Sequence, residues 1–285
     1  LREAAQAMNL SLSANSHFQE IILDFEYGRE YGESIKYLQN KGFKVGLATT
    51  RILKPNEYRN LDYLIRMNPD FILVRNLAAL SYFKEKSPKI PLRGDFSLNV
   101  TNEMSFAYFY RHGLDSICLS YDMNFEQTQD LLKKINPSFC EITIHQYVPS
   151  FHMEHCVFAH NLSQGTSYIN CGKPCEAHRV ELKDQFGNHH FVKPDQECRN
   201  TLFNSHAQSA AHYIPEWQNL RVGRFRYEAL FESDIESKIN LYQDLLQQKI
   251  SSQELISQLK VTESYGLSDK NLANSYVHSN RKKKS

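Results

Sequence analysis

The chain has 285 residues, of which 41% are hydrophobic and 23% charged, an ordinary globular composition with room for one large domain or two. Its formal net charge of +1 excludes a strong overall field for nucleic acid or membrane. No apolar run approaches bilayer-spanning length, and the clustering of four of the six cysteines in one polar stretch favours metal ligation in a reducing compartment over disulfides, so a cytoplasmic protein is expected.

The chain opens at Leu1 with a helix-like LREAAQAM and no strand before it. Strand-like and helix-like segments then alternate. The predicted strands are Glu20–Phe25, Lys44–Thr49, Phe71–Asn76, Pro91–Leu98, Ser116–Tyr121 and Cys140–His145, each short, aliphatic or β-branched, and followed by polar residues. Amphipathic stretches such as Tyr31–Gln39 and Phe125–Ile135 lie between them. Strands alternating with helices imply right-handed βαβ units and a parallel sheet. The step between strands is about 20–27 residues, near the roughly 30 residues per unit of a (β/α)8 barrel.

From Phe151 to Asn204 the pattern breaks into a polar, turn-rich segment. A helix at Ser205–Trp217, a seventh strand at Val222–Leu230 and a helix at Ser233–Ile250 follow. We therefore expect an α/β fold: a (β/α)8 TIM-type barrel lacking its first strand, with a cysteine-rich insertion before the last strand. The strand missing from the count would fall before Leu1. An open doubly wound sheet is the alternative. The organisation reads as barrel units over 1–150, the insertion over 151–204, the last strand and helix over 205–250, and a polar, partly disordered tail over 251–285. That tail ends in a basic run from Arg281 to Lys284.

Four of the six cysteines, Cys156, Cys171, Cys175 and Cys198, fall in the insertion, spaced Cys-x14-Cys-x3-Cys-x22-Cys. A segment with so little apolar surface needs another source of stability, and a thiolate-bound metal or cluster supplies one. Structural zinc sites pair their ligands twice at short spacing. Here only Cys171 and Cys175 form a close pair, a pattern nearer to a cluster assembled from several loops. His178, His189 and His190 keep a zinc site open as the alternative. Cys118 and Cys140 lie inside strands and read as core residues.

In a barrel the working face is the C-terminal end of the strands. Arg75, Asp95, His145 and Glu228 sit in the last turn of theirs, where a charge needs a partner or a role. Arg51 and Lys54 follow the second strand and Asn99 the fourth. We read Arg51, Lys54, Arg75 and Asn99 as substrate-binding candidates. Asp95, His145 and Glu228 are catalytic candidates, joined by His152 and Glu154, which directly precede the first cysteine. The run from His152 to His155 is not His-Glu-x-x-His, and neither a Gly-x-Ser-x-Gly elbow nor a Walker glycine pattern occurs.

FHMEHCVF, CGKPCEAHRVELKD and ECRNTLFN, with LATTRILKP, ILVRN, GDFSLNVTN, SYDMN and RFRYEAL, resemble the collagenase-like peptidase family, the U-32 peptidases, in a long-chain branch. The resemblance covers about residues 1–250. It implies a barrel fold, and it implies that Cys156, Cys171, Cys175 and Cys198 hold a [4Fe–4S] cluster. It further implies oxygen-independent hydroxylation of an RNA base, tRNA or rRNA, with prephenate as a possible anionic oxygen donor and a heteromeric partner in some members. Peptide hydrolysis, as the family name says, and a zinc-stapled non-catalytic module are the alternative functions.

Overall fold

The computed structural model describes residues 1–11, 18–232, 234–259 and 261–263. Its strands, in chain order, are β1 (Glu20–Leu23), β2 (Lys44–Ala48), β3 (Phe71–Val74), β4 (Leu92–Gly94), β5 (Ser116–Cys118), β6 (Cys140–Gln146), β7 (Pro149–Met153), β8 (Val180–Lys183), β9 (His189–Pro194), β10 (Asn200–Phe203), β11 (Gln208–Ser209), β12 (Arg224–Tyr227) and β13 (Thr262–Glu263). The helices are α1 (Ala4–Met8), α2 (Tyr31–Asn40), α3 (Arg59–Arg66), α4 (Leu77–Lys86), α5 (Glu103–Arg111), α6 (Phe125–Leu132), α7 (Val157–Leu162), α8 (Ile214–Asn219), α9 (Ile235–Leu246) and α10 (Ser252–Leu259). No helix among the described residues is long and apolar enough to cross a membrane.

All seven predicted barrel strands form. β1 to β6 pair consecutively and in parallel, and β12 adds in parallel to β6. The result is a curled parallel sheet, a half-barrel. Asparagines end the strand-to-helix turns: Asn76, Asn102 and Asn124 accept backbone N–H bonds from Ala79, Ser105 and Gln127 and so start α4, α5 and α6. Ile21, Leu23, Val45, Leu47, Ile72, Val74, Ile117 and Ile142 form one buried core with helix residues such as Leu38, Leu64, Phe83 and Phe106. Gly46 allows a close approach across the sheet, since a Cβ there would stand 2.1 Å from the Phe71 ring. That ring in turn supports the Arg93 guanidinium, 3.7 Å from its centroid.

The curl leaves a seam. Among the described residues β1 pairs with β2 alone and β12 with β6 alone. A cavity of about 700 Å³ runs along this seam. Leu1 touches the open edge of β1, its amino group donating to Ile22 O at 2.7 Å and its carbonyl accepting from Asp24 N at 2.9 Å.

Two segments differ from expectation. The helix predicted from Ser205 starts only at Ile214, because Gln208 and Ser209 pair with β6 first. The region from residue 251, read as tail, contains α10, which buries Leu255 and Leu259. The run from Ser264, including Arg281–Lys284, lies outside the described residues.

β7, β10, β9 and β8 form a separate antiparallel sheet in that order. With α7 it makes a lobe over the mouth of the half-barrel, around a small apolar cluster of Phe158, Val192 and Leu202.

Candidate functional site

Charged residues on β1, β4, β6 and β12, and just past the ends of β1, β3 and β4, meet across the half-barrel as ion pairs. Deep in the half-barrel, Arg93 grips Glu20 with two bonds of 2.7 Å, and Arg224 reaches the same carboxylate at 3.3 Å. Nearer the mouth, Arg75 donates to Asp24 and to Asp95, each at 2.7 Å, and Arg226 donates to Asp95 at 2.5 Å. Arg226 also pairs with Glu141 and, at 3.5 Å, with Glu228, while Arg2 pairs with Asp24. Burial alone would raise the Asp95 carboxyl, but Arg226 and Arg75 hold it down to about 2. Asp95 and Arg75, both buried, are therefore saturated by one another and their neighbours.

Arg51 is different. Its guanidinium lies over the Phe96 ring, 4.7 Å from the centroid, and lines the seam cavity. No hydrogen bond or ion pair to a carboxylate holds it among the described residues. Burial and the neighbouring Arg75 charge push its pKa below the usual arginine value. A partly desolvated cation without a counter-ion is a natural seat for an anion.

The other sequence candidates are dispersed. Lys54 is exposed and pairs with Glu154. Asn99 is an exposed residue in the left-handed region, φ 54°, after the short 3-10 turn that follows β4. His145 faces no open mouth. It is fully enclosed, with Nδ1 3.0 Å from the Tyr242 hydroxyl, Nε2 2.9 Å from Glu232, and its ring stacked on Tyr227. That network fastens β6 to α9, with Glu232 also taking Lys238 at 2.7 Å.

The four insertion cysteines sit on four local structures. Cys156 caps α7, its sulfur accepting from Ala159 N at 3.4 Å. The Cys171 sulfur accepts from Lys173 N at 3.4 Å. Cys175 lies in a 3-10 turn beside Tyr27 of the barrel, whose hydroxyl bonds its sulfur. Cys198 takes a left-handed backbone, φ 62°, in the β9–β10 turn. Partial desolvation of its sulfur pushes the Cys198 thiol up to about 11, and Cys156, Cys175 and Cys171 add to the effect. None of the four thiols is buried. Among the described residues no three His, Cys, Asp or Glu side chains are gathered tightly enough to hold a single metal ion.

Polar contacts clamp this lobe to the barrel loops. Arg199, buried and next to Cys198, donates to Glu57 at 2.9 Å and to Glu154 at 2.7 Å. Gln196 donates to the Tyr31 hydroxyl at 2.8 Å. Between lobe and mouth lies a second, small cavity lined by His152, Asp195 and Thr201 from the lobe and by Arg51 and Arg75 from the barrel. Sequence reasoning missed Asp195 and Arg199, which sit in a polar turn, Asp195-Gln-Glu-Cys-Arg199, with no periodicity to mark them.

The profile of Peptidase family U32 matches residues 22–285. Among solved structures, the chain is similar to the U32 peptidase Mk0906 at 13% identity and a TM-score of 0.38, covering 48% of this chain and 64% of that one. The match to the spore cortex-lytic enzyme SleL of Bacillus megaterium QM B1551 covers 83% of this chain and 50% of that one, at 14% identity and a TM-score of 0.19. No curated protein matches the sequence. With all but its first 21 residues inside the family profile, the chain belongs to peptidase family U32.

Proposed function

We propose that this protein is an iron–sulfur-dependent enzyme that hydroxylates an RNA base without molecular oxygen, on a (β/α)8-type scaffold. The observation that carries the reading is a set of four free thiols, on four separate turns of one lobe, beside a half-barrel mouth whose Arg51 has no carboxylate in contact. Cys156, Cys171, Cys175 and Cys198 would hold the cluster. Four cysteine thiolates are the ligand set that a [4Fe–4S] cluster takes. When bound, the cluster supplies electron transfer. Arg51 seats a small anionic oxygen donor such as prephenate, oriented from below by Phe96. Lys54 and Glu154 stand at the rim, where Arg199 fixes the Glu154 carboxylate. Exposed Phe151, Tyr168 and Phe186, with Lys173, Arg179 and Lys183, offer stacking faces and phosphate-directed cations on the lobe.

The test is mass spectrometry of total tRNA and rRNA nucleosides from a strain lacking the gene. A hydroxylated nucleoside that disappears, returns with the wild-type gene and does not return with Cys171→Ala supports the reading. An unchanged nucleoside inventory overturns it.

A further inference from the structure

The small cavity between lobe and mouth contains two side chains that are each half satisfied. His152 is anchored at Nδ1, 2.9 Å from Thr201 Oγ1, its cross-strand neighbour in the β7–β10 ladder. Asp195 is anchored at Oδ1, which accepts the backbone N–H groups of Glu197 and Arg199, each at 2.9 Å. The remaining atoms, His152 Nε2 and Asp195 Oδ2, are buried without a hydrogen-bond partner and face each other across 3.9 Å. That separation is too long for a direct bond. In the tautomer whose Nδ1–H donates to Thr201, both facing atoms are acceptors, and two acceptors need a donor between them. Arg2, Arg51 and Arg75 line the same cavity, so a cation is a poor guest. The space is about 10 Å³, the size that admits one water.

We propose that His152 and Asp195 bind one water between them and activate it for hydrolysis of a small acyl compound whose carboxylate pairs with Arg51. A water that donates both hydrogens to these acceptors turns its lone pairs toward the mouth. The two cavities share Arg2, Asp24, Arg51 and Arg75, so the water and the anion seat adjoin. In the reaction the water oxygen bonds to the acyl carbon and one water proton passes to His152 Nε2. The bond to the leaving ester oxygen or amide nitrogen breaks, and His152 returns the proton to that atom. No redox partner is required, so this activity stands apart from the cluster reading. His152 Nε2, which has no partner in the fold, is the atom that accepts the proton. The seam volume of about 700 Å³ suits a small molecule rather than an extended polypeptide.

The experiment uses the purified protein with mono-4-nitrophenyl succinate as an anionic ester and 4-nitrophenyl acetate as its neutral control. Asp195→Asn keeps the Oδ1 anchor and replaces the free acceptor by a donor. Asp195→Asn and His152→Gln are each expected to lower kcat on the succinate ester by about 100-fold or more, with KM little changed. Arg51→Gln is expected to raise KM for the succinate ester about tenfold and to remove the preference for the succinate over the acetate ester. Wild-type hydrolysis no faster than that of Asp195→Asn overturns the proposal. A crystal structure of the wild type gives a second reading that needs no variant. Water bonded to both His152 Nε2 and Asp195 Oδ2 supports the proposal, and a direct bond between the two side chains overturns it.

Discussion

In the half-barrel, strands such as β3 are buried along their whole length, and their aliphatic side chains join one core with the helices. In the lobe, Phe158, Val192 and Leu202 are the whole buried apolar cluster among the described residues, and β8 is largely exposed. The lobe therefore gains little from the hydrophobic effect. It has instead a clamp of charged contacts to the barrel and four thiols positioned by backbone turns. The same chain thus uses two sources of order, and the candidate site lies where they meet.

The sharpest way to break this comparison is to remove the group proposed to sit on the thiolates. Cys171→Ala, or chelation, is expected to strip amide protection from residues 149–203 while the barrel strands keep theirs, since metal binding to thiolate sites is worth on the order of 10 kcal/mol. Equal protection of the lobe with and without metal, read by hydrogen exchange, would erase the contrast. The converse change is Leu47→Ala in the fully buried face of β2. It should cost roughly 2–5 kcal/mol and lower the melting of the whole chain, because the core is continuous.

Arg199→Met tests the clamp. It strands Glu57, while Glu154 keeps Lys54, and the loss should be about 1–3 kcal/mol. That lies below the range for a fully buried pair because Glu154 is nearly half exposed. The lobe should loosen before the barrel, as limited proteolysis would show. Smallest is an effect of pH on the barrel side. Burial would raise Glu232, but His145, Lys238 and Tyr227 bring it from 4.5 to about 2. A carboxyl lowered in the fold contributes its stability above pH 4.5 and loses it as pH falls from 4.5 toward 2. The loss, on the order of 2 kcal/mol after allowance for partial screening, should be absent in Glu232→Gln. A wild type and variant with the same acid melting curve would contradict the network.

The barrel was legible in the sequence because each strand carries its own apolar run, and burial on both sides of a parallel sheet demands it. The lobe sheet was not legible. VELK, HHFVKP and NTLF lack clean alternation, since Val192 and Leu202 face a small cluster around Phe158 while Phe191 and Phe203 pack toward Phe231 on the other side. His145 shows a different limit. A charged residue in the last turn of a strand points to a pocket by position, but its partners, Glu232 and Tyr242, lie 87 and 97 residues away and close around it completely. Arg75 and Asp95 likewise look free in sequence and are bound to each other in the fold. Arg51 drew notice only as one of several cations; its lack of a partner is a property of the assembled mouth.

Metal content is the measurement that bears most directly on the central claim that four thiols hold a cluster beside an anion seat. The protein would be purified without oxygen and assayed for iron, sulfide and zinc alongside its absorption spectrum. We predict a brown protein with about four irons and four sulfides per chain, both lost in Cys171→Ala. A colourless protein carrying one zinc and no sulfide would contradict the account and leave the lobe as a zinc-stapled structural element.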